Sequence, residues 1–195
     1  ICKLKNEKEL NKAGFLESTR NLLSHLFDSQ KDLSATTIWY KDESINPNGT
    51  HKDRMAWEIY LWYDNEIKKQ INTPGKKISL RSLSLISSGS AAYSVQSLLR
   101  SRGLPSLRVL IDKNSSPRLI KFLKEQECKV YLDDLERREY TSSDILERTD
   151  NQDGIDLTYS PEFDASRKVY YDWLSYEILN QNPNWVFAPF GTGDL

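Results

Sequence analysis

Residues 77–132, KISLRSLSLISSGSAAYSVQSLLRSRGLPSLRVLIDKNSSPRLIKFLKEQECKVYL, decide the fold. From Lys77, the apolar residues Ile78, Leu80, Leu83, Leu85 and Ile86 interleave with Ser and Arg in a strand-like pattern, which Ser87-Ser88-Gly89-Ser90 interrupts. Ala91 to Arg102 turns Val95, Leu98 and Leu99 inward at helical spacing and stops at Gly103 and Pro105. Leu107 to Ile111 is an apolar strand, Ser116-Pro117 opens a helix with a serine cap and a proline in its first turn, and Cys128 to Leu132 is the next strand. Strand, helix, strand, helix, strand predicts βαβ units with right-handed crossovers: an α/β fold, three αβα layers around a mostly parallel sheet.

Outward from this stretch, residues 1–35 carry an amphipathic stripe (Phe15, Leu16, Leu22, Leu23, Leu26, Phe27) and form an N-terminal helical segment. Thr36 to Tyr40 is β-branched and aromatic, a short strand. Asp53 to about Gln70 places Met55, Ile59, Trp62, Tyr63 and Ile67 on a helical period before the Thr73-Pro74-Gly75 breaker. Asp133 to Pro161 is polar, with one short helix near Ser143 to Arg148 and then a loop. Ala165 to Asn180 reads as one helix with Tyr170, Trp173, Leu174 and Ile178 on one face, and Trp185 to Phe190 as a buried strand. The expected division is 1–35 helical, 36–160 a small α/β domain, and 161–195 the start of a larger domain that the chain does not complete.

Composition narrows the partners. The 195 residues carry 27 basic and 28 acidic side chains for a net charge of -1, which offers no electrostatic case for nucleic acid or an anionic membrane. No apolar run approaches the roughly 20 residues of a membrane span, and no basic-then-apolar leader stands at the N-terminus, so a cytoplasmic protein is expected. Cys2 and Cys128 read as free thiols, and neither they nor His25 and His51 have metal-ligand spacing, so no metal is expected.

The chemistry gathers around Ile45-Asn46-Pro47-Asn48-Gly49-Thr50-His51-Lys52-Asp53-Arg54. Asn-Pro and Asn-Gly mark a loop, and Thr50 with Asp53 three residues on has the form of a capping box, which sets Lys52 in the first turn of a helix. A cation is disfavoured there by the helix dipole. Two further loops, Ser87 to Ser90 and Gly191-Thr192-Gly193-Asp194, also follow strands and precede helical positions. In a parallel sheet such loops share the carboxyl edge, and small residues before a helix leave N–H groups open to a phosphate or carboxylate. An amine beside two anion cradles suits a cofactor bearing an aldehyde and a phosphate, with an amino acid as substrate.

These residues resemble the fold type II pyridoxal-phosphate (PLP) enzymes, the tryptophan synthase beta-like superfamily, and within it threonine synthase. Asn46 to Arg54 is similar to that enzyme's Asn-Pro-Thr-Gly-Ser-Phe-Lys-Asp-Arg, Ser87 to Ala92 to its Ser-Ser-Gly-Asn-Ala-Ala, and Gly191 to Asp194 to its Gly-x-Gly-Gly phosphate cradle. The resemblance runs from about Thr37 to Leu195. It implies that Lys52 holds PLP as a Schiff base and acts as the catalytic base. It also implies that Ser87, Ser88, Gly89, Ser90 and Ala91 receive the substrate carboxylate, that Ser90 touches the cofactor ring, and that Gly191, Thr192, Gly193 and Asp194 hold the phosphate. The implied activity is a lyase or synthase working by β or γ elimination or replacement on a small amino-acid substrate, with a homodimer as a candidate assembly. Arg54 and Asp53 read as a structural pair.

Ser90 stands where the family carries Asn, and its hydroxyl is shorter. Asp194 replaces a cradle glycine; a carboxylate about 6 Å from the phosphate costs about 3 kcal/mol per unit of charge product. Family members also continue well past the cradle. The chain therefore reads as an N-terminal fragment that alone binds PLP weakly or not at all and is inactive. The alternative is a non-catalytic relative that has lost the cofactor. A nucleotide-binding domain would need a G-x-G-x-x-G or G-x-x-x-x-G-K-[ST] fingerprint, which is absent.

Overall fold

The structure is a computed structural model, and it describes residues 39–75, 78–136 and 139–188. The chain divides into two compact units, Ile1–Ile45 and Asn46–Leu195. The helical stripe of residues 1–35, residues 36–38 of the expected first strand, and the Gly191 to Asp194 loop lie outside the described residues. In the first unit Trp39 and Tyr40 belong to no strand, which corrects that part of the expectation, and Glu43–Ile45 forms a 3-10 turn.

The second unit opens with α1, Lys52–Ile71, whose 20 residues contain neither Gly nor Pro. Met55, Ala56, Ile59 and Tyr63 are buried on one side, with Trp62 and Ile67 packed beside them. Strand β1 is Leu83–Ile86, shorter than the alternation from Lys77 suggests, and Ile78 and Leu80 are exposed. The reason is local. The amide of Gln70 accepts from Ser79 N at 2.8 Å and donates to Ser79 O at 3.2 Å, making the two bonds that a neighbouring strand would otherwise supply.

The chain continues through α2 (Ser90–Ser101), β2 (Arg108–Asp112), α3 (Pro117–Glu125) and β3 (Lys129–Asp133). Ser116 caps α3 as expected, accepting from Leu119 N, with Pro117 at the first position. Helix α4, Ser142–Arg148, begins with a full capping box between Thr141 and Asp144. Strand β4, Ile155–Asp156, lies where only a loop is expected: two residues carry no alternation to read. It is fixed by Ile155 N donating to Ser82 O at 3.0 Å and Leu157 N to Ser84 O at 2.8 Å.

The four strands are parallel in the order β3-β2-β1-β4. Alternation along β1 and β2 builds the layers. Leu83, Leu85, Val109 and Ile111 join the core that includes Ile59 of α1 and Val95 and Leu99 of α2. Ser84 and Arg108 face the other way. Ser84 Oγ lies 2.7 Å from Thr149 Oγ1, and Arg108 donates to Thr149 O and Asp150 O at the end of α4. One face thus carries α1 and α2 and the other α4, the αβα arrangement expected.

The C-terminal helix needs correction. Ala165 to Asn180 is not continuous: a 3-10 turn, Pro161–Phe163, leads into α5, Asp164–Arg167, and after a turn at 168–171 comes α6, Asp172–Leu179. At the break Val169 N bonds to Ser166 O and Asp172 N to Val169 O, three residues back rather than four. The break buries two adjacent tyrosines. Tyr170 packs with Phe163 at 6.0 Å between ring centroids, and Tyr171 with His51 at 5.7 Å. It also turns Trp173 outward, 66% exposed, against its expected place on the inner face. Trp185, Val186 and Phe187 are exposed and outside any strand, so the buried strand expected there is not formed by the described residues. They pair with none of the four strands, and a run that joins no ladder makes no strand.

Candidate active site

Lys52 is the first residue of α1, so the loop grammar places it correctly, but the cap it implies is not the one formed. Thr50 Oγ1 accepts from Lys52 N, two residues on, and no side chain caps the helix at His51. Asp53 is used elsewhere: its carboxylate accepts from Asn48 N at 2.7 Å and Asn48 Nδ2 at 2.6 Å, closing the Asn48-Gly49 turn against α1. Gly49 sits at φ 74, where a residue with a side chain is disfavoured. Nor do Asp53 and Arg54 form the expected pair. Arg54 forks onto Glu177 of α6, Nη1 to Oε1 at 3.1 Å and Nη2 to Oε2 at 2.8 Å.

The amine of Lys52 donates to Tyr171 Oη at 2.9 Å and lies 5.4 Å from the centre of that ring. No carboxylate of the described residues comes within ion-pairing distance, whereas Lys68, Lys69 and Lys113 each hold one. A lysine held by a hydroxyl rather than by a carboxylate has no ion pair to break when it reacts. Tyr171 is the residue that sequence reading misses: it is buried only because the helix breaks, and no Gly or Pro announces the break.

The second loop is built around Gly89, which adopts φ +135; a Cβ there would stand 2.9 Å from Leu119 Cδ1. Ser87 is buried, and its hydroxyl accepts from Gly89 N at 3.1 Å and Ala92 N at 3.2 Å. Ser87 N is bonded to Leu110 O. Two of the N–H groups at the start of α2 are thus already satisfied, and Ser87 acts as the internal brace of the turn. The N–H groups of Ser88, Ser90 and Ala91 have no partner among the described residues, and the Ser88 and Ser90 side chains are exposed. No hydrogen bond or ion pair joins Lys52 to this loop.

A primary amine without a carboxylate partner can condense with an aldehyde, and three open N–H groups at a helix start suit a carboxylate or phosphate. These donors fit PLP. Among the described residues no His/Cys/Asp/Glu group could hold a metal, and no helix is long and apolar enough to cross a membrane.

The family model for pyridoxal-phosphate dependent enzymes matches residues 20–195, and the chain belongs to that family. The fold is similar to O-ureido-L-serine synthase, with a TM-score of 0.54 at 20% identity over 73% of this chain and 42% of that one. It is also similar to diaminopropionate ammonia lyase from Escherichia coli, solved with an aminoacrylate-PLP azomethine intermediate (0.52, 13%, covering 74% and 38%). A hydrogen sulfide-producing enzyme from Fusobacterium nucleatum gives 0.50 at 17% identity, covering 74% and 44%. At these identities the likeness is of fold, and the chain spans less than half the length of each. No curated protein sequence matches.

Proposed function

We propose that the protein is a PLP-dependent lyase or synthase acting on an amino acid by elimination or replacement at the β or γ carbon, in the manner of threonine synthase. The observation that carries this reading is the Lys52 amine, at the first position of α1 and held by a hydroxyl, in a chain of a PLP-dependent family. Bound there, PLP supplies an electron sink that makes the Cα proton of an amino acid removable. Lys52 Nζ would hold the aldehyde end of the cofactor and would serve as the base that takes up the Cα proton. Ser88, Ser90 and Ala91 N–H groups hold the substrate carboxylate, with Gly89 allowing the turn and Ser87 bracing it. Ser90 Oγ serves the cofactor ring, and Gly191, Thr192, Gly193 and Asp194 serve the phosphate. The same reading keeps residues 36–160 as the small domain, 161–195 as the beginning of the large one, and the cytoplasm as location.

Ser90 favours a second reading, a relative that has lost the cofactor, because a serine hydroxyl reaches less far than an asparagine amide. The test is spectroscopic. Intact protein titrated with PLP should develop visible absorbance that Lys52→Ala abolishes; no such absorbance at saturating PLP would overturn the enzyme reading and favour the second.

A further inference from the structure

We propose that Tyr171 is the positioning residue of Lys52, the group that aims its amine and shares its proton; this rests on the reading of Lys52 as the reactive amine. Tyr171 comes from the turn between α5 and α6, 119 residues from Lys52, and its hydroxyl is the hydrogen-bond partner of Nζ at 2.9 Å. A phenol differs from a carboxylate in what it can do there. Its oxygen accepts from an ammonium, and its O–H donates to a neutral amine, so contact survives in both protonation states. A carboxylate would stabilise the ammonium alone and hold the lysine unreactive.

The surroundings fix the phenol. Tyr171 is buried, the His51 ring lies against it, and the Arg54–Glu177 fork ties α6 to the residue two places after Lys52. Among the described residues, the charged and titratable groups beside the contact include His51, Asp53, Arg54 and Glu58 on the Lys52 side and Tyr170, Asp172 and Glu177 on the Tyr171 side. Glu58 feels Asp172 across this junction. The break at 168–171 thereby has a use: it sets Tyr171 on the amine while Tyr170 fills the core.

Tyr171→Phe keeps the ring and deletes the hydroxyl, and two aldehydes read the result in the intact protein. Reductive methylation of Lys52 by formaldehyde, followed by peptide mass spectrometry across pH, reports how readily the amine gives up its proton and is indifferent to aim. Capture of PLP reports aim. Charge-assisted hydrogen bonds are about twice as strong as neutral ones, so losing the hydroxyl costs the ammonium more than the amine. The expected result is a methylation profile displaced towards acid, about fivefold faster at neutral pH, together with slower capture of PLP. Superimposable methylation profiles in a folded variant would overturn the proposal. If Tyr171→Phe does not fold, 3-fluorotyrosine at position 171 keeps the shape and changes the acidity, and an unmoved profile then overturns it equally. The underlying reading fails separately: wild-type protein that captures PLP elsewhere than Lys52 refutes that reading even if the formaldehyde profile moves.

Discussion

Arg54 and Glu177, 123 residues apart, meet through two parallel hydrogen bonds of 3.1 and 2.8 Å that fasten the start of α1 to α6. The Arg54 side chain is 17% exposed and Glu177 is 41%, so solvent screens the pair from one side. Its geometry is the planar fork that lysine cannot reproduce. Arg54→Lys and Arg54→Ala are therefore both expected to destabilise the chain, by about 1 kcal/mol. That is about 2–4 °C in thermal midpoint for a domain of this size. A double-mutant cycle with Glu177→Gln measures the coupling, and additive losses would show that the fork contributes nothing.

Gly89→Ala should cost about 1–3 kcal/mol, because φ +135 is a backbone region that L residues rarely adopt. The clash with Leu119 Cδ1 at 2.9 Å is the smaller part, since that methyl is the end of a flexible side chain. Chemical denaturation in a Leu119→Ala background separates the two. Most of the loss persists if backbone conformation dominates, and vanishes if the clash does.

Alkali should weaken the fold. Burial pushes the Cys128 thiol up to about 12 from 9.0, against the pull of Arg100, and the Tyr63 phenol up to about 12 from 10.0, against Arg81. Tyr63 also donates its proton to Arg81 O at 2.7 Å. Both groups are neutral when protonated, so between these limits the unfolded chain loses protons that the folded chain keeps. Their contribution is full below about pH 9 and disappears as pH rises towards 12. Urea midpoints should fall over that window, and Cys128→Ala with Tyr63→Phe should flatten the fall. At pH 8 the native thiol should resist alkylation until the chain is unfolded.

Ser90→Asn restores the amide that the resembled family carries at this position. With a hydrogen bond worth about 1 kcal/mol, PLP affinity should rise about fivefold. Fluorescence titration measures it, and unchanged affinity would show that Ser90 does not face the ring.

The alternation of strands and helices from Leu83 to Asp133 is legible because each element has a pattern several residues long and a cap or breaker at its end. Ser116-Pro117, Gly103 and the Lys52 loop all fall where expected. The failures share a cause: tertiary partners outvote local pattern. Gln70 stands in for a strand beside Ser79, β4 is a strand only because β1 lies next to it, and Asp53 abandons the cap for Asn48. The Ser87 hydroxyl also closes its own turn, a role that only the positions of Gly89 N and Ala92 N reveal. Tyr171 carries no sequence signal at all, since the α5–α6 break depends on what its ring and hydroxyl meet.

The covalent bond to PLP is expected on the amine of Lys52. Borohydride reduction of the intact protein with PLP, followed by proteolysis and mass spectrometry, locates that bond directly. A phosphopyridoxyl group is expected on the peptide containing Lys52 and on no other lysine at stoichiometric cofactor. Label spread over surface lysines, with Lys52 unmodified, would contradict it.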